Sequence, residues 1–233
     1  MAILNGSAQR SGGLAFIVAG FAWVAWFYLE SAPPRLGFDD TDNPAVSLRF
    51  LHEHPTAYGQ IGIVVLVLAI ALVIGVLALA QRFRARSDPL ALEVTTAFGL
   101  FAAAFFIGHA TIRMSALPIL YIESLDPAWG QAAYVAVQMV GMHLMVQGAL
   151  LSFSIWAACI AVLGWRSRAL PRWLCVLTLL PAVRIVALLG PLGLGDGPDV
   201  IWLAFIASIL GTGVWLVVLG AVLLRRPAIT ATA

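Results

Sequence analysis

Lysine is absent from this chain, and all 13 cationic residues are arginines. Schiff-base chemistry, retinal attachment and phosphate binding by a P-loop each need a lysine amine, so all three are excluded. Charge of either sign is scarce. Only 10% of the 233 residues are charged and 62% are hydrophobic, against roughly 25% charged in soluble domains. A water-soluble surface cannot be built from that composition. Cysteine is nearly missing as well: Cys159 and Cys175 are the two present. Both fall near the ends of apolar runs on the side read below as cytoplasmic, where no disulfide is expected, so they are read as packing residues.

What the chain does contain is one apolar run after another. They fall at about 13 to 30, 57 to 81, 90 to 114, 132 to 162, 173 to 192 and 200 to 224, each long enough to cross ~30 Å of hydrocarbon at ~1.5 Å per helical residue. The expected fold is an all-α membrane protein, a single domain over residues 1–233 forming a six-transmembrane-helix bundle. The first run follows one basic residue, Arg10, as a signal peptide would. Its exit, Glu30-Ser31-Ala32-Pro33-Pro34, offers no small-residue cleavage site, so it is read as a retained first span.

The connections sort by charge. Arg10, Arg82, Arg84, Arg86, Arg166, Arg168, Arg172, Arg225 and Arg226 all fall on one side, which the positive-inside rule makes cytoplasmic. Both termini are then inside, and the expected location is the inner (plasma) membrane, with the lipid bilayer as partner and no nucleic acid. The other side carries Asp39, Asp40, Asp42, Glu53, Glu123, Asp126, Asp196 and Asp199. Tyr28, Tyr58, Trp129, Tyr134 and Trp202 are expected to anchor the outer interface, and Trp165 and Trp173 the inner one. In the first outer loop, Asn43-Pro44 opens a run closed by Pro55, which predicts a short helix with Asn43 as N-cap and Pro44 at its first position, lying at the membrane surface. Small residues suited to close helix contact recur as Ala15 and Ala19, Ala71 and Gly75, Ala104 and Gly108, and Ala204, Ser208 and Thr212.

Ionisable side chains at membrane depth are costly unless partnered, so they point to function. The candidates for ligand binding are His109, Arg113, His143, Gln147 and Arg184. His109 and Arg113 are one turn apart on one helical face. At 3.6 residues per turn, Met139, His143, Gln147 and Ser154 share a stripe on the next helix. Arg113 is expected close to the outer interface, where it can snorkel. Arg184 is expected near the midplane, where no carboxylate matches its depth, since Glu93 and Asp88 lie toward the inside and the remaining acids lie in outer loops or at Glu30.

Haem is an alternative, because two histidines on neighbouring helices are possible axial ligands. Helix boundaries place His109 about two turns nearer the outside than His143, which argues against that pair. Met139, Met142, Met145 and His143 suit copper(I) by softness, although methionine at this spacing also packs. The acidic run Asp39 to Asp42 and His52-Glu53-His54 match neither an EF-hand nor the spaced zinc-protease motif, so no metal site is assigned.

The run Leu163-Gly164-Trp165-Arg166-Ser167-Arg168-Ala169-Leu170-Pro171-Arg172-Trp173-Leu174-Cys175-Val176-Leu177 resembles the short basic loop, Pro-Arg-Trp-Leu and apolar helix of the DUF4386 family of uncharacterised bacterial membrane proteins. The segment from Phe50 to Tyr58 is similar to that family's entry into its second helix. The resemblance implies a six-helix fold and carries no catalytic or binding residue with it.

Three functions fit these residues. One is binding or transport of a small anionic or carbonyl-bearing amphipathic molecule in a cavity within the bundle, with Arg184 and Arg113 at its polar end. The lack of a membrane carboxylate for proton coupling argues against a secondary transporter. Another is a membrane-embedded enzyme acting on a lipid or isoprenoid, with His143 or His109 as acid or base and Arg184 stabilising an oxyanion; no conventional nucleophile is evident. The third is an accessory subunit whose polar groups lock helices together.

Overall fold

The computed structural model describes residues 2–36, 43–115, 117–183, 185 and 198–225, and among them there are helices and turns but no strand. The helices are α1 (Ala2–Glu30), α2 (Ala32–Arg35), α3 (Pro44–Glu53), α4 (Ala57–Phe83), α5 (Pro89–Met114), α6 (Leu117–Leu125), α7 (Pro127–Gln138), a π-helical segment (Met139–Val146), α8 (Gln147–Ser167), α9 (Arg172–Leu177), α10 (Leu179–Ala182) and α11 (Pro198–Arg225). Five stretches are long and apolar enough to cross a membrane: Ser7–Glu30, Ala57–Phe83, Pro89–Met114, Pro127–Ser167 and Ser208–Arg225. The fifth expected span, 173 to 192, is present among the described residues only as the shorter apolar stretch Arg172–Ala182, interrupted at Thr178. Residues 184 and 186–192 of that span lie outside the described residues.

Local chemistry explains the helix starts. Asn43, Asp88 and Asp126 each sit ahead of a proline, and their side chains accept from Ala45 N, Ala91 N and Ala128 N respectively. Each supplies an acceptor for an otherwise unpaired N–H while the proline fits the first helical turn. The helix expected after Asn43 therefore forms, and its apolar side faces protein: Leu48, Phe50 and Leu51 are buried, and α3 packs on α6 and α7. At the other end of the bundle α8 stops where Arg168 turns left-handed, with φ of 55°.

Packing joins these elements into a closed ring in which α1 touches α4, α4 touches α5, α5 touches α8, α8 touches α10, α10 touches α11 and α11 returns to α1. Four buried tryptophans fill its centre. The Trp23 ring lies 5.7 Å from Trp26, 6.0 Å from Phe106 and 5.4 Å from Phe153, and Trp156 lies 5.7 Å from Trp215. Two of their N–H groups are satisfied across helices: Trp23 Nε1 donates to the Ile209 carbonyl at 2.9 Å and Trp215 Nε1 to the Thr178 hydroxyl at 2.9 Å.

Small residues allow one close crossing. A Cβ on Gly20 would stand 2.7 Å from the Gly213 carbonyl oxygen and one on Gly13 2.9 Å from that of Gly220, so α1 and α11 meet backbone to backbone. Of the expected stripes, Ala15, Ala19, Ala71, Ser208 and Thr212 are buried. Ala104 is exposed, because α5 turns Ala102, Ala103, Phe106 and Ala110 inward instead.

Candidate functional site

At the end of the bundle where α1 and α5 finish, three ionisable side chains converge. Glu30 is the last residue of α1, and Arg113 lies in the last turn of α5 with His109 one turn before it. Arg113 Nη2 donates to Glu30 Oε1 at 3.0 Å and Oε2 at 2.9 Å. His109 Nε2 lies 3.3 Å from Glu30 Oε1, and its Nδ1 lies 3.1 Å from the Gly141 carbonyl oxygen. Trp26, one turn ahead of Glu30, donates its indole N–H to Oε1 at 3.2 Å. His109 is 0% exposed, and the side chains of Arg113 and Glu30 are 5% and 19% exposed.

Other helices complete the shell around the guanidinium. The Tyr58 ring, from the first turn of α4, lies 4.5 Å beneath it. The Tyr58 hydroxyl is 3.2 Å from that of Tyr134 on α7. Arg113 Nη1 donates to Gln138 Oε1 at 3.4 Å, and Nη2 sits 2.9 Å from the Met142 sulfur. Cation–π contact and charge-assisted hydrogen bonds together offset the cost of taking the guanidinium out of water. One donor is left over: Arg113 Nε is buried without a hydrogen-bond partner among the described residues. Next to this shell is a cavity of about 10 Å³, room for roughly one water. The polar residues Tyr58, Arg113, Tyr134 and Gln138 line it, with the apolar Ile112, Ile119 and Val137.

The family model described as a domain of unknown function, DUF4386, matches residues 11–220, which include every residue of this cluster. The chain belongs to the DUF4386 family. No curated protein and no solved structure matches it.

Of the five candidate residues in this DUF4386 protein, the structure brings His109 and Arg113 together. His143 and Gln147 stand apart, exposed on the outside of their helix. Met139, His143 and Gln147 do share a face, and it is the one turned away from the bundle, while Gly141 and Val146 of the π segment face inward. Met139 is 55% exposed, whereas Ser154, from the same counted stripe, is buried on the Pro181 carbonyl. Arg184 lies outside the described residues, as do Asp39 to Asp42.

Arg113 does not snorkel; Glu30 neutralises it inside the bundle. His109 and His143 are not two turns apart in depth, since the Gly141 carbonyl meets His109. Both ring nitrogens of His109 are engaged and His143 faces away, so the two histidines do not form an axial pair. The methionines disperse: Met139 faces out, Met142 meets Arg113 and the Met145 sulfur would stand 2.8 Å from a Cβ on Gly108. Tyr58 and Tyr134, expected as interfacial anchors, are 8% and 4% exposed parts of the cluster. His52 on α3 pairs with Glu123 on α6 at 2.7 Å, and the described residues hold no group of three or more metal-ligating side chains.

Glu30 is the residue the sequence reading missed. Its signal was present, since Glu30 and Arg113 each close an apolar run at the same end of the bundle. An acid at the end of a span reads as interfacial until its partner is known.

Proposed function

We propose that this DUF4386 protein binds or transports a small amphipathic molecule whose carboxylate or carbonyl end sits at Arg113. The observation that carries the reading is the buried Nε of Arg113, unpartnered among the described residues on a side chain that lines a cavity. A buried donor left unsatisfied costs about 1–3 kcal/mol, and an acceptor atom supplied by a guest removes that cost. Ile112, Ile119 and Val137 suit the apolar remainder of such a molecule. As drawn the cavity admits only a water-sized guest, so a longer tail has to leave between helices toward lipid. Glu30 supplies the membrane carboxylate whose expected absence argued against proton-coupled transport.

The placement that goes with this reading is six spans, both termini cytoplasmic, the Glu30 end of the bundle facing outward and α3 lying at that interface. The nine arginines support it, and so does the hydrogen bond from Arg82 Nε to the Ala169 carbonyl at 3.1 Å, which holds two of the basic connections at one end. Arg172 lies over the Trp165 ring at 5.5 Å at that end.

Native mass spectrometry of the purified protein tests the binding reading. A bound small molecule is expected on the parent protein. It is expected to be lost from Val137→Phe, which fills the cavity, and kept by Val162→Phe, which alters an exposed position. A parent protein that carries no small molecule and takes up neither short-chain carboxylates nor their esters contradicts it.

A further inference from the structure

Hydrogen-bond accounting around His109 leaves a proton to place. Its Nδ1 lies 3.1 Å from a carbonyl oxygen, that of Gly141. A carbonyl cannot donate, so Nδ1 must carry the hydrogen in that contact. Neutral imidazole has one N–H, so Nε2 would then face Glu30 Oε1 at 3.3 Å with lone pair against lone pair. One more proton resolves the clash, on His109 or on Glu30. Glu30 Oε1 already accepts from Trp26 at 3.2 Å and Arg113 at 3.0 Å. Those donors favour the carboxylate form of Glu30, so a proton taken up by the cluster would sit on His109.

Charge then fails to balance. Arg113 and a doubly protonated His109 face one carboxylate, Glu30, which leaves one surplus positive charge in a buried place. The other groups turned toward the pair are Tyr58 from α4, Tyr134 and Gln138 from α7, Trp26 from α1, and Met142 with the Gly141 carbonyl from the π segment. None of these carries a negative charge as an ordinary neutral side chain. A carboxylate guest beside Arg113 Nε would balance the cluster and give that nitrogen its acceptor.

We propose that the site takes its guest as a carboxylate anion together with one proton, the proton resting on His109. The proposal rests on the binding reading above. Coupling of this kind is reciprocal: an anion that binds better to the protonated site makes the proton bind better to the occupied site. The sign follows. Affinity for the anion is highest at low pH, and once the empty site has lost its proton it falls about tenfold for each further pH unit.

Calorimetric titration of the full-length protein in nanodiscs with butyrate, from about pH 6 upward where butyrate stays ionised, reads this slope. Methyl butyrate provides the uncharged control, and oleate provides the carboxylate of a membrane lipid. Expected are an affinity for butyrate that falls with pH, a flat response for methyl butyrate, and one doubly protonated histidine in nitrogen NMR spectra of the butyrate complex near pH 8. Oleate binding with the same slope assigns the membrane as the source of the guest, and binding of butyrate alone assigns the aqueous phase. The histidine signal is expected to survive a His52→Gln, His54→Gln, His143→Gln variant, which leaves His109 as the last of the four histidines. It is expected to vanish in Glu30→Gln, whose amide can donate to Nε2. A flat butyrate affinity, or a neutral His109 in the complex, overturns the proposal and leaves the binding site standing. Failure of butyrate and oleate to bind at any pH overturns both.

Discussion

Glu30 and Arg113 are 83 positions apart in the chain, yet Arg113 Nη2 reaches both carboxylate oxygens. Truncating either partner leaves the other charged and largely out of water without its principal ion pair. Glu30→Ala and Arg113→Ala are each expected to lower stability by about 3–5 kcal/mol. Replacing both by apolar side chains of similar size, Glu30→Leu with Arg113→Met, is expected to recover most of that loss, because no uncompensated charge remains. A double-mutant cycle from denaturant unfolding in mixed micelles measures it; two single losses that simply add in the double variant would show the pair is not coupled. At this scale the sequence was half legible. His109 and Arg113 stand out because ionisable groups are rare in apolar runs, whereas Glu30 closes its run and looks like part of the outer loop. Tyr58 and Tyr134 look like interface anchors for the same reason, and only the contact with Arg113 reveals their other role.

Helices themselves were readable wherever a local rule decides them. Asn43 ahead of Pro44 marks a helix start in the sequence and in the structure, and Asp88 and Asp126 ahead of proline cap α5 and α7 in the same way. The π segment follows no such rule. Nothing local in Met139–Val146 announces i→i+5 bonding, and its consequence, Gly141 turned toward His109 with His143 turned away, depends on what α5 presents to it. Glycine on α1 and α11 was likewise visible only as composition until the two helices were seen to cross. A Cβ at Gly220 would run into the Gly13 carbonyl oxygen and stand 2.8 Å from Ile17, while one at Gly59 meets nothing within 4 Å. Gly220→Leu is therefore expected to cost about 1–3 kcal/mol through forced separation of the backbones, with Gly59→Ala close to neutral. Thermal melts of both variants in one detergent check this, and equal melting temperatures would contradict the close crossing.

For the whole molecule, the ring of helices has two chemically different ends. Arginine, the Arg82–Ala169 tie and the Trp165–Arg172 stack mark one, and the Glu30–Arg113–His109 cluster with the His52–Glu123 contact marks the other. Composition alone indicated a membrane bundle, since scarce charge and long apolar runs admit little else. It carried no information on which runs are neighbours, because that is settled by close contacts between small residues and by tryptophan N–H groups finding partners on other helices, such as Trp23 on Ile209. The central claim is that three buried ionisable groups at one end form a site for a carboxylate guest, where a merely structural lock would serve only to hold helices together. Butyrate titration of the Glu30→Leu, Arg113→Met variant tests it most directly, since that variant keeps the helices together without charge. A folded protein with no measurable butyrate binding is expected; a folded variant that binds butyrate as the parent does would show that the Glu30–Arg113 pair is only a structural lock.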